Sequence, residues 1–272
     1  MLRYRGGTWS VEPGHETRDY RDLDMVSTTD GWAVGREGST GRWTIWRWNG
    51  SGWNPFQIVT GAIYCIDMID ASHGWIGGNG YFLRYNGSSW VWGGSAPNTI
   101  YGLHMFSDTL GWAVGAPGIV MKRNGSIWER VPASAVWMLA DLCMTDFNNG
   151  WATGYKRYVE DGIIVKCLNG TWVEFKVYQG TTSIGNIDIY GQNFGWATGA
   201  RRTSPPLGAF LGFFDGKDWT VVPDPTDKGL GGVKIINANN AWIVGEAGII
   251  LKYKPNVSVT PVSVGRIKAI YR

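Results

Sequence analysis

The chain repeats one short design six times, and this repeat constrains its fold more than any other feature. The clearest copy is GWAVGAPGIVMKRNGSIW at residues 111–128. Each copy opens with a small residue followed by tryptophan, and successive copies are separated by 43, 37, 39, 45 and 46 residues. A period of about 40–45 residues is typical of a propeller blade. The pairs are Gly31-Trp32, Gly74-Trp75, Gly111-Trp112, Gly150-Trp151, Gly195-Trp196 and Ala241-Trp242.

Each repeat contains four predicted strands. A short alternating apolar run precedes the pair, as in residues 63–68, and a period of two indicates a strand. The pair opens a second strand that reads WAVG, WATG or WIVG, and a third strand leads into an Asn-Gly or Asp-Gly turn followed by tryptophan. These dipeptides supply the positive φ angles of a tight hairpin, so a fourth strand should follow. Four strands per period make one blade.

We therefore predict an all-β fold, a six-bladed β-propeller of four-stranded antiparallel blades that forms a single domain over residues 1–255. The expected blades are residues 14–60, 61–97, 98–135, 136–180, 181–228 and 229–255 plus 1–13, with 256–272 as a C-terminal tail. The composition agrees, because 40 glycines, 17 tryptophans and only 17% charged residues describe a turn-rich β protein.

The N-terminal segment is expected to close the ring. Residues 1–13 resemble the last two strands of a blade, whereas the last repeat supplies only three strands. Since proteins cover exposed sheet edges, residues 7–12 are predicted to pair beside residues 251–254. Residues 257–262 are the alternative fourth strand. In that case the N-terminal strands would belong to a seventh, incomplete blade or to a neighbouring molecule.

The tryptophans that open the repeats are predicted to pack in the core between blades, because each buries a large apolar area. Further tryptophans fall outside the repeat and are freer to face a ligand. These are Trp43, Trp46, Trp48, Trp92 and Trp137.

The pattern G-W-A-V-G, a short gap and apolar-R-Y-N-G-x-x-W resembles BNR or Asp-box-like propellers, especially repeat proteins similar to the photosystem II assembly and stability factor. The resemblance covers nearly the whole chain and implies a propeller used for binding. An Asp-box would read S-x-D-x-G-x-T-W, whereas Arg or Lys and Asn mostly replace the serine and aspartate here. The phrases IWRWNGSGW and FLRYNGSSW are also similar to tectonin-type lectin repeats, which implies a glycan-binding alternative.

Loop lengths predict the binding face. The connections between strands two and three and between blades emerge on one face of a propeller, and their insertions gather around blades four, five and six. Loops on a rigid scaffold commonly carry function. Basic and aromatic side chains there suit sugar rings, carboxylates or phosphates. The predicted binding residues are Tyr155, Lys156, Arg157, Tyr158, Arg201, Arg202, Lys228, Arg36 and Arg42.

Catalysis has weak support in the sequence. No serine or cysteine has both a base and an orienting group nearby in the sequence. The carboxylate pairs Asp22/Asp24, Asp67/Asp70 and Glu160/Asp161 could flank a glycosidic bond, and alternation places Asp22 and Asp24 on one face. A sialidase-like glycoside hydrolase is therefore the second alternative, although the arginine triad and the tyrosine-glutamate pair of sialidases cannot be mapped.

Metals, cofactors and nucleic acid are not expected. His15, His73 and His104 lie in different repeats without paired ligands. A net charge of +3 is too small for a nucleic-acid-binding stripe. The cysteines Cys65, Cys143 and Cys167 are predicted to be buried free thiols, because Cys143 and Cys167 lie about two strand spacings apart.

An extracellular or cell-surface location is predicted from the hairpin turns. Asn49, Asn86, Asn124 and Asn169 each form an N-glycosylation sequon on the same turn of consecutive repeats, and Asn256 adds a fifth. No run approaches the roughly 18 apolar residues of a membrane span, and the N-terminus lacks an apolar signal core.

These observations predict a non-catalytic recognition or assembly module that binds a protein partner through one loop-rich face. A glycan-binding lectin is the first alternative, and a glycosidase is the second. A lectin should repeat one pocket in several blades, whereas unequal loops favour one asymmetric protein-binding surface.

Overall fold

The computed structural model of the chain describes residues 1–12, 18–134, 137–159, 161–201, 208–223, 226, 228–255 and 257–261. These residues form an all-β protein, as predicted. They fall into two compact units, of which the first ends at Asp108 and the second begins at Thr109. Each unit is described by itself.

The first unit begins with a two-stranded hairpin and continues with the first two repeats. Its strands are β1 (Leu2–Arg5), β2 (Thr8–Val11), β3 (Arg18–Met25), β4 (Gly31–Glu37), β5 (Trp43–Trp48), β6 (Trp53–Val59), β7 (Ile63–Met68), β8 (Gly74–Tyr85) and β9 (Trp90–Ser107).

The second unit contains the remaining strands and one short 3-10 helix at Glu246–Gly248. Its strands are β10 (Leu110–Ala116), β11 (Ile119–Asn124), β12 (Ile127–Arg130), β13 (Trp137–Asp146), β14 (Asn149–Lys156), β15 (Gly162–Leu168), β16 (Thr171–Tyr178), β17 (Thr181–Tyr190), β18 (Phe194–Arg201), β19 (Ala209–Phe214), β20 (Trp219–Val221), β21 (Leu230–Asn237), β22 (Asn240–Gly245), β23 (Ile250–Lys254) and β24 (Val257–Pro261).

The prediction of six blades, with seven as its alternative, is wrong. The strands form a propeller of five antiparallel blades, namely β3–β6, β7–β12, β13–β16, β17–β20 and β21–β24. The difference arises in the second and third repeats. β8 continues through Gly78-Asn79-Gly80 without a break, and β9 runs through the expected blade boundary near residue 97. The short glycine-rich connections therefore leave two repeats in one sheet.

The predicted ring closure by residues 7–12 is also wrong. β2 pairs with β1, from Leu2 opposite Val11 to Arg5 opposite Thr8. β24 occupies the edge beside β23 instead, with Lys254 opposite Val257. The physical reason is the local turn at Gly6-Gly7, where both φ angles are positive at 59° and 89°. A tight hairpin closes with little loss of chain entropy, so the N-terminal strands pair with each other.

A β-bulge near the start of the first strand explains the last glycine of the WAVG-type pattern. The register shifts between Leu139 and Asp141 in β13, and the equivalent shift recurs in β3, β7, β17 and β21. The bulge brings the Met138 carbonyl oxygen against Gly154, so closely that a Cβ on Gly154 would overlap it. The site accepts only a residue without a side chain.

Buried tryptophans form the core between neighbouring strands and blades. Trp151 of the blade β13–β16 packs edge-on against Phe214 and Trp219 of the blade β17–β20, with ring centroids 5.0 and 5.8 Å apart. Each such ring removes roughly 150–250 Å² from water, which contributes on the order of 4–6 kcal/mol before entropy is subtracted. The prediction of core packing is confirmed for Trp32, Trp75, Trp112, Trp151 and Trp196, which are at most 4% exposed, and Trp242 is half-buried.

The tryptophans outside the repeat divide into two groups. Trp46, Trp48 and Trp137 are buried, contrary to the prediction that they were freer to face a ligand. Trp43 is half-buried, and Trp92 is 65% exposed.

Aspartates of the first strands connect neighbouring sheets by accepting backbone hydrogen bonds. Asp24 Oδ2 accepts the Met68 N–H at 2.7 Å, and Asp188 Oδ2 accepts the Ile235 N–H at 2.7 Å. Asp67 makes an equivalent bond inside the sheet β7–β12, where it accepts the Met105 N–H, whereas the bonds of Asp24 and Asp188 cross between sheets. Such bonds satisfy buried backbone donors and fix the register between one blade and the next.

Candidate functional site

The predicted loop after β14 presents two aromatic and two basic side chains in the second unit. Tyr155 and Lys156 end β14, and Arg157 and Tyr158 lie in the following turn. Tyr158 is 74% exposed, and the Arg157 guanidinium lies 5.6 Å from its ring centroid. Lys156 Nζ forms an ion pair with Glu174 at 2.9 Å. The loop therefore offers an exposed cation over an exposed ring.

Asp161 ties this loop to the connection between β16 and β17. Its carbonyl oxygen accepts the Lys156 N–H at 2.8 Å, and its Oδ1 accepts the Gly180 N–H at 3.0 Å. The loop and the connection thus lie together. The sequence analysis treated Asp161 only as one of a carboxylate pair and missed this positioning role.

Arg201 is a half-buried basic residue in the same region. It ends β18 opposite Thr181, and its backbone N–H donates to the Gly208 carbonyl at 2.9 Å. Its side-chain Nε is buried and has no hydrogen-bond partner among the described residues. A buried guanidinium N–H without an acceptor is costly, and a carboxylate or carbonyl oxygen would satisfy it.

A cavity of about 550 Å³ opens beside Arg201. This volume is in the range of sites that take a small ligand or part of a peptide. The cavity lies between strands of neighbouring blades within the second unit. Its lining consists of Val177, Tyr178, Gln179, Gly180, Thr181, Arg201 and Val221.

The cavity wall is held by hydrogen bonds between β16 and β20. Lys176 Nζ donates to Asp218 Oδ2 at 2.7 Å and to the Trp219 carbonyl at 2.6 Å. The bond from Lys176 holds the pKa of Asp218 below its usual value. Burial raises the pKa of Tyr178, whose hydroxyl donates to the Trp219 carbonyl at 3.3 Å. The tyrosine therefore stays neutral, and the wall is fixed before any ligand binds.

The other predicted binding residues are not part of the cavity lining or are not described. Lys228 belongs to a turn in which its backbone N–H donates to Thr226 Oγ1. Arg36 and Arg42 belong to the first unit, where Arg36 Nε donates to the Gly41 carbonyl at 3.0 Å. Arg202 lies outside the described residues. The structure thus brings together the loop at 155–158 and Arg201.

The carboxylates considered for catalysis have structural partners. Asp22 Oδ2 accepts the Ile66 N–H at 2.9 Å, as Asp24 accepts that of Met68. Asp70 accepts the backbone N–H groups of Ser72 and His73 and contacts the His73 ring, which holds the pKa of Asp70 below its usual value. Glu160 lies outside the described residues.

A sequence signal for the connecting aspartates exists and was overlooked. Asp24, Asp67 and Asp188 each stand eight residues before the tryptophan of their repeat, and each lies directly opposite that tryptophan in the sheet. A spacing that recurs with the repeat indicates a structural role rather than a single active site.

The sequon asparagines lie in exposed hairpin turns. Asn49 Oδ1 accepts the Ser51 N–H at 3.0 Å and the Ser51 hydroxyl at 2.8 Å, and Asn86 makes the same bonds with Ser88. Asn124 and Asn169 are also exposed. Asn256 lies outside the described residues. The side-chain oxygen thus shapes the turn, and Asp215 has the equivalent role with Lys217.

The three cysteines are free and buried, as predicted. Burial raises the pKa of Cys143 to about 12 and that of Cys167 to about 11. Neither thiol ionises near neutral pH, so neither is an activated nucleophile. Within the described part of the chain, no group of three or more His, Cys, Asp or Glu is placed to hold a metal ion. The described helix content likewise includes no segment long and apolar enough to cross a membrane.

Comparison with solved structures identifies the class of fold as a β-propeller. The structure titled "YCF48 bound to D1 peptide" aligns with a TM-score of 0.67 and 16% identity, over 90% of this chain and 82% of the other. The WD40 β-propeller domain of Doa1 aligns with a TM-score of 0.67 and 12% identity, over 91% and 83%. The extracellular domain of the hybrid two-component protein BT3049 from B. thetaiotaomicron aligns with a TM-score of 0.64 and 11% identity, over 92% and 35%.

At these identities the similarity concerns the fold alone. No family model matches the chain. No curated protein matches it either.

Proposed function

We propose that this propeller is a non-catalytic recognition or assembly module that binds a protein partner at the cavity beside Arg201. The partner would present a carboxylate-bearing peptide segment, which enters between the β16–β17 connection and β18. The loop at residues 155–158 would contact the flanking part of the segment. Arg202, Lys228, Arg36 and Arg42 are retained only as additional contacts of a larger partner.

The observation that carries the proposal is the state of Arg201. Its Nε is buried beside a cavity of about 550 Å³ and has no partner among the described residues. Charge-assisted hydrogen bonds from arginine to carboxylate are short and strong, and they add geometric specificity. A peptide carboxylate in the cavity would satisfy the buried donor that the described residues leave open.

The fold comparisons support a protein ligand. YCF48 was solved with a D1 peptide bound, and Doa1 uses the same class of fold. The resemblance of the repeats to BNR or Asp-box-like propellers similar to the photosystem II assembly and stability factor supports the same interpretation. The unequal loops also favour one asymmetric protein-binding surface over a sugar pocket repeated in several blades.

We propose that the chain is not catalytic, because the carboxylates on β3 already accept structural hydrogen bonds. Asp22 and Asp24 accept hydrogen bonds from the backbone of β7, and loss of these bonds would disturb the contact between β3 and β7. The buried thiols have raised pKa values and do not supply a nucleophile.

An extracellular or cell-surface location with glycosylated turns is part of the proposal. It is supported by the exposed sequons at Asn49, Asn86, Asn124 and Asn169, which recur on the same hairpin turn. The intact mass of protein from its native source tests it, because hexose-sized increments mapping to these residues are expected. A mass of 30.1 kDa without increments would contradict it.

Selection from a random 12-residue peptide library tests the binding function. The purified chain should enrich peptides that carry Asp, Glu or a free C-terminal carboxylate. Binding of the enriched peptide, measured by calorimetry, should weaken at least about tenfold in Arg201→Ala, which corresponds to about 1.4 kcal/mol. Arg130→Ala is the matched control, because Arg130 is exposed on β12 away from the cavity lining. The assignment would be contradicted if Arg201→Ala and Arg130→Ala bound the enriched peptide with equal affinity. It would also be contradicted if the enriched peptides carried no acidic groups.

A further inference from the structure

Five aromatic side chains lie close to one another in series in the first unit. We call them the aromatic strip. Trp43 and Tyr64 have ring centroids 5.5 Å apart, and Tyr64 and Tyr101 are 5.2 Å apart. Tyr81 and Trp92 are 6.0 Å apart with an angle of 15° between their planes. Tyr64 also lies close enough to Tyr81 to contribute to raising the pKa of Tyr81, which burial chiefly raises to about 12.

The strip is accessible at two of its members, Trp92 and Tyr101, which both lie on β9. Trp92 is 65% exposed and Tyr101 is 39% exposed. A register shift beside Gly93 keeps Trp92 opposite Leu83, two residues beyond Tyr81 on the partner strand. Residues two apart on a strand share a face, so Tyr81 and Trp92 present their rings together. A large exposed indole on a rigid sheet is unusual in a protein whose other tryptophans are all buried or half-buried.

The two segments that carry Tyr81, Trp92 and Tyr101 contain no formal charge. Residues 74–83 and 85–103 include no Asp, Glu, Lys, Arg or His, although 17% of the chain is charged. Serine, threonine and asparagine occupy the polar positions instead. A surface of this kind does not attract ions, and its complement is a neutral ligand with many hydroxyl groups.

Fixed amide groups lie at one end of the strip. Thr99 lies opposite Asn79 in the sheet, and its hydroxyl lies 3.0 Å from Asn79 Oδ1 and 3.3 Å from Asn98 Oδ1. The hydroxyl donates its one proton to the nearer Asn79 Oδ1, and the Thr99 N–H donates to Asn98 Oδ1 at 2.8 Å, so the side-chain oxygens of both asparagines are held. Their Nδ2 groups have no hydrogen-bond partner among the described residues. These groups are positioned donors for hydroxyl oxygens.

We propose that the aromatic strip binds a neutral saccharide. The C–H face of one sugar ring stacks on Trp92, because an aromatic face carries partial negative charge. Neighbouring hydroxyl groups accept hydrogen bonds from Asn79 and Asn98. This site is independent of the peptide cavity, since it belongs to the other unit and uses no charged group.

The arrangement of the rings favours a saccharide over a proline-rich peptide. A prolyl ring held between two aromatic faces needs roughly 7–8 Å between them, at about 3.5–4.0 Å for each contact. Tyr81 and Trp92 are nearly parallel with centroids 6.0 Å apart, so no slot for such a ring exists between them. The exposed platform suits a flat ligand that stacks from one side.

Calorimetry with neutral oligosaccharides tests the proposal on the full chain. The probes are cellohexaose, maltohexaose, mannohexaose and N-acetylated chitohexaose. At least one should bind with a dissociation constant below about 1 mM, and Trp92→Ala should weaken that binding at least about tenfold. Trp92 is largely exposed, so this variant keeps its fold. Ile127→Ala is the matched control, because Ile127 is 56% exposed and lies on β12 of the other unit.

A second variant tests the asparagine amide groups beside the aromatic strip. Asn98→Ala should weaken the same saccharide without changing binding of the acidic peptide at the Arg201 cavity. Binding of none of the four saccharides overturns the proposal, as does equal saccharide affinity of Trp92→Ala and the unaltered chain. Tight binding of a decaproline peptide that is lost in Trp92→Ala, with no saccharide bound, also overturns it and assigns the strip to peptide recognition.

Discussion

The Arg47 guanidinium lies 5.0 Å from the ring centroid of Trp32, directly opposite it on the neighbouring strand. Lys166 lies 4.8 Å from Trp151, and Lys252 lies 4.8 Å from Trp242, in the same cross-strand position. In these repeats, the basic residue of the third strand thus covers the tryptophan that opens the second strand. This contact explains why Arg or Lys stands at that position.

Arg47→Ala should lower the free energy of unfolding by about 1–2 kcal/mol, because it removes a cation–π contact and the ion pair with Asp30. That ion pair joins Arg47 Nε and Asp30 Oδ1 at 3.0 Å. Urea denaturation measures the loss. Arg21→Ala is the control, since Arg21 pairs with Asp19 at 2.7 Å in solvent and no ring contact is described for it. Equal losses in the two variants would show that the tryptophan contact contributes nothing.

Gly154→Ala should destabilise the second unit by about 1–3 kcal/mol or more, because the new Cβ would overlap the Met138 carbonyl oxygen on the bulged strand. Thermal denaturation followed by circular dichroism measures the shift. Gly185→Ala is the matched control, since a Cβ there meets nothing within 4 Å. If both variants have the same melting temperature as the unaltered chain, the bulge does not explain why residue 154 is a glycine.

Asp188→Ala should expose the Ile235 amide to exchange, because that buried N–H donates to Asp188 Oδ2 at 2.7 Å. Leaving the donor unsatisfied costs about 1–3 kcal/mol. Hydrogen exchange at Ile235 is the measurement. Asp188→Asn retains an acceptor and should restore most of the protection. Unchanged exchange in Asp188→Ala would mean that the aspartate does not connect the two sheets.

Alkaline pH should destabilise the fold through Cys143. Burial raises the pKa of this thiol from 9.0 to about 12 in the folded chain. Between these values the unfolded thiol loses its proton while the folded thiol keeps it, so stability falls as pH rises through this window. Cys143→Ala should reduce that slope by up to about 1.4 kcal/mol per pH unit. Urea denaturation at pH 8.5, 9.5 and 10.5 measures it, and parallel slopes in both proteins would contradict the assignment.

The sequence predicted the strands well because the repeat combines alternation with turn residues of fixed geometry. It located the hairpins at Asn49 and Asn86 and the burial of the repeated tryptophans. It did not predict the blade count, because Gly78-Asn79-Gly80 reads as a loop although β8 passes through it. Residues 7–12 and 257–262 were both plausible edge strands, and only the local turn at Gly6-Gly7 decides between them.

The candidate site was predicted in part. The basic and aromatic composition of the loops named Arg201 and the residues at 155–158. The sequence could not show that Arg201 Nε is buried without a described partner, or that Asp161 ties the loop to Gly180, because both depend on contacts between distant strands. The sequence did place Trp92 among the tryptophans freer to face a ligand, and its 65% exposure agrees with that prediction.

The central claim is that the Arg201 guanidinium receives a carboxylate of a peptide partner. NMR observation of the Arg201 Nε–H resonance, assigned by its loss in Arg201→Lys, tests this most directly. Titration with the selected acidic peptide should move the resonance downfield in a saturable manner, with the same dissociation constant as calorimetry gives. Saturable peptide binding that leaves this resonance unmoved would contradict the account.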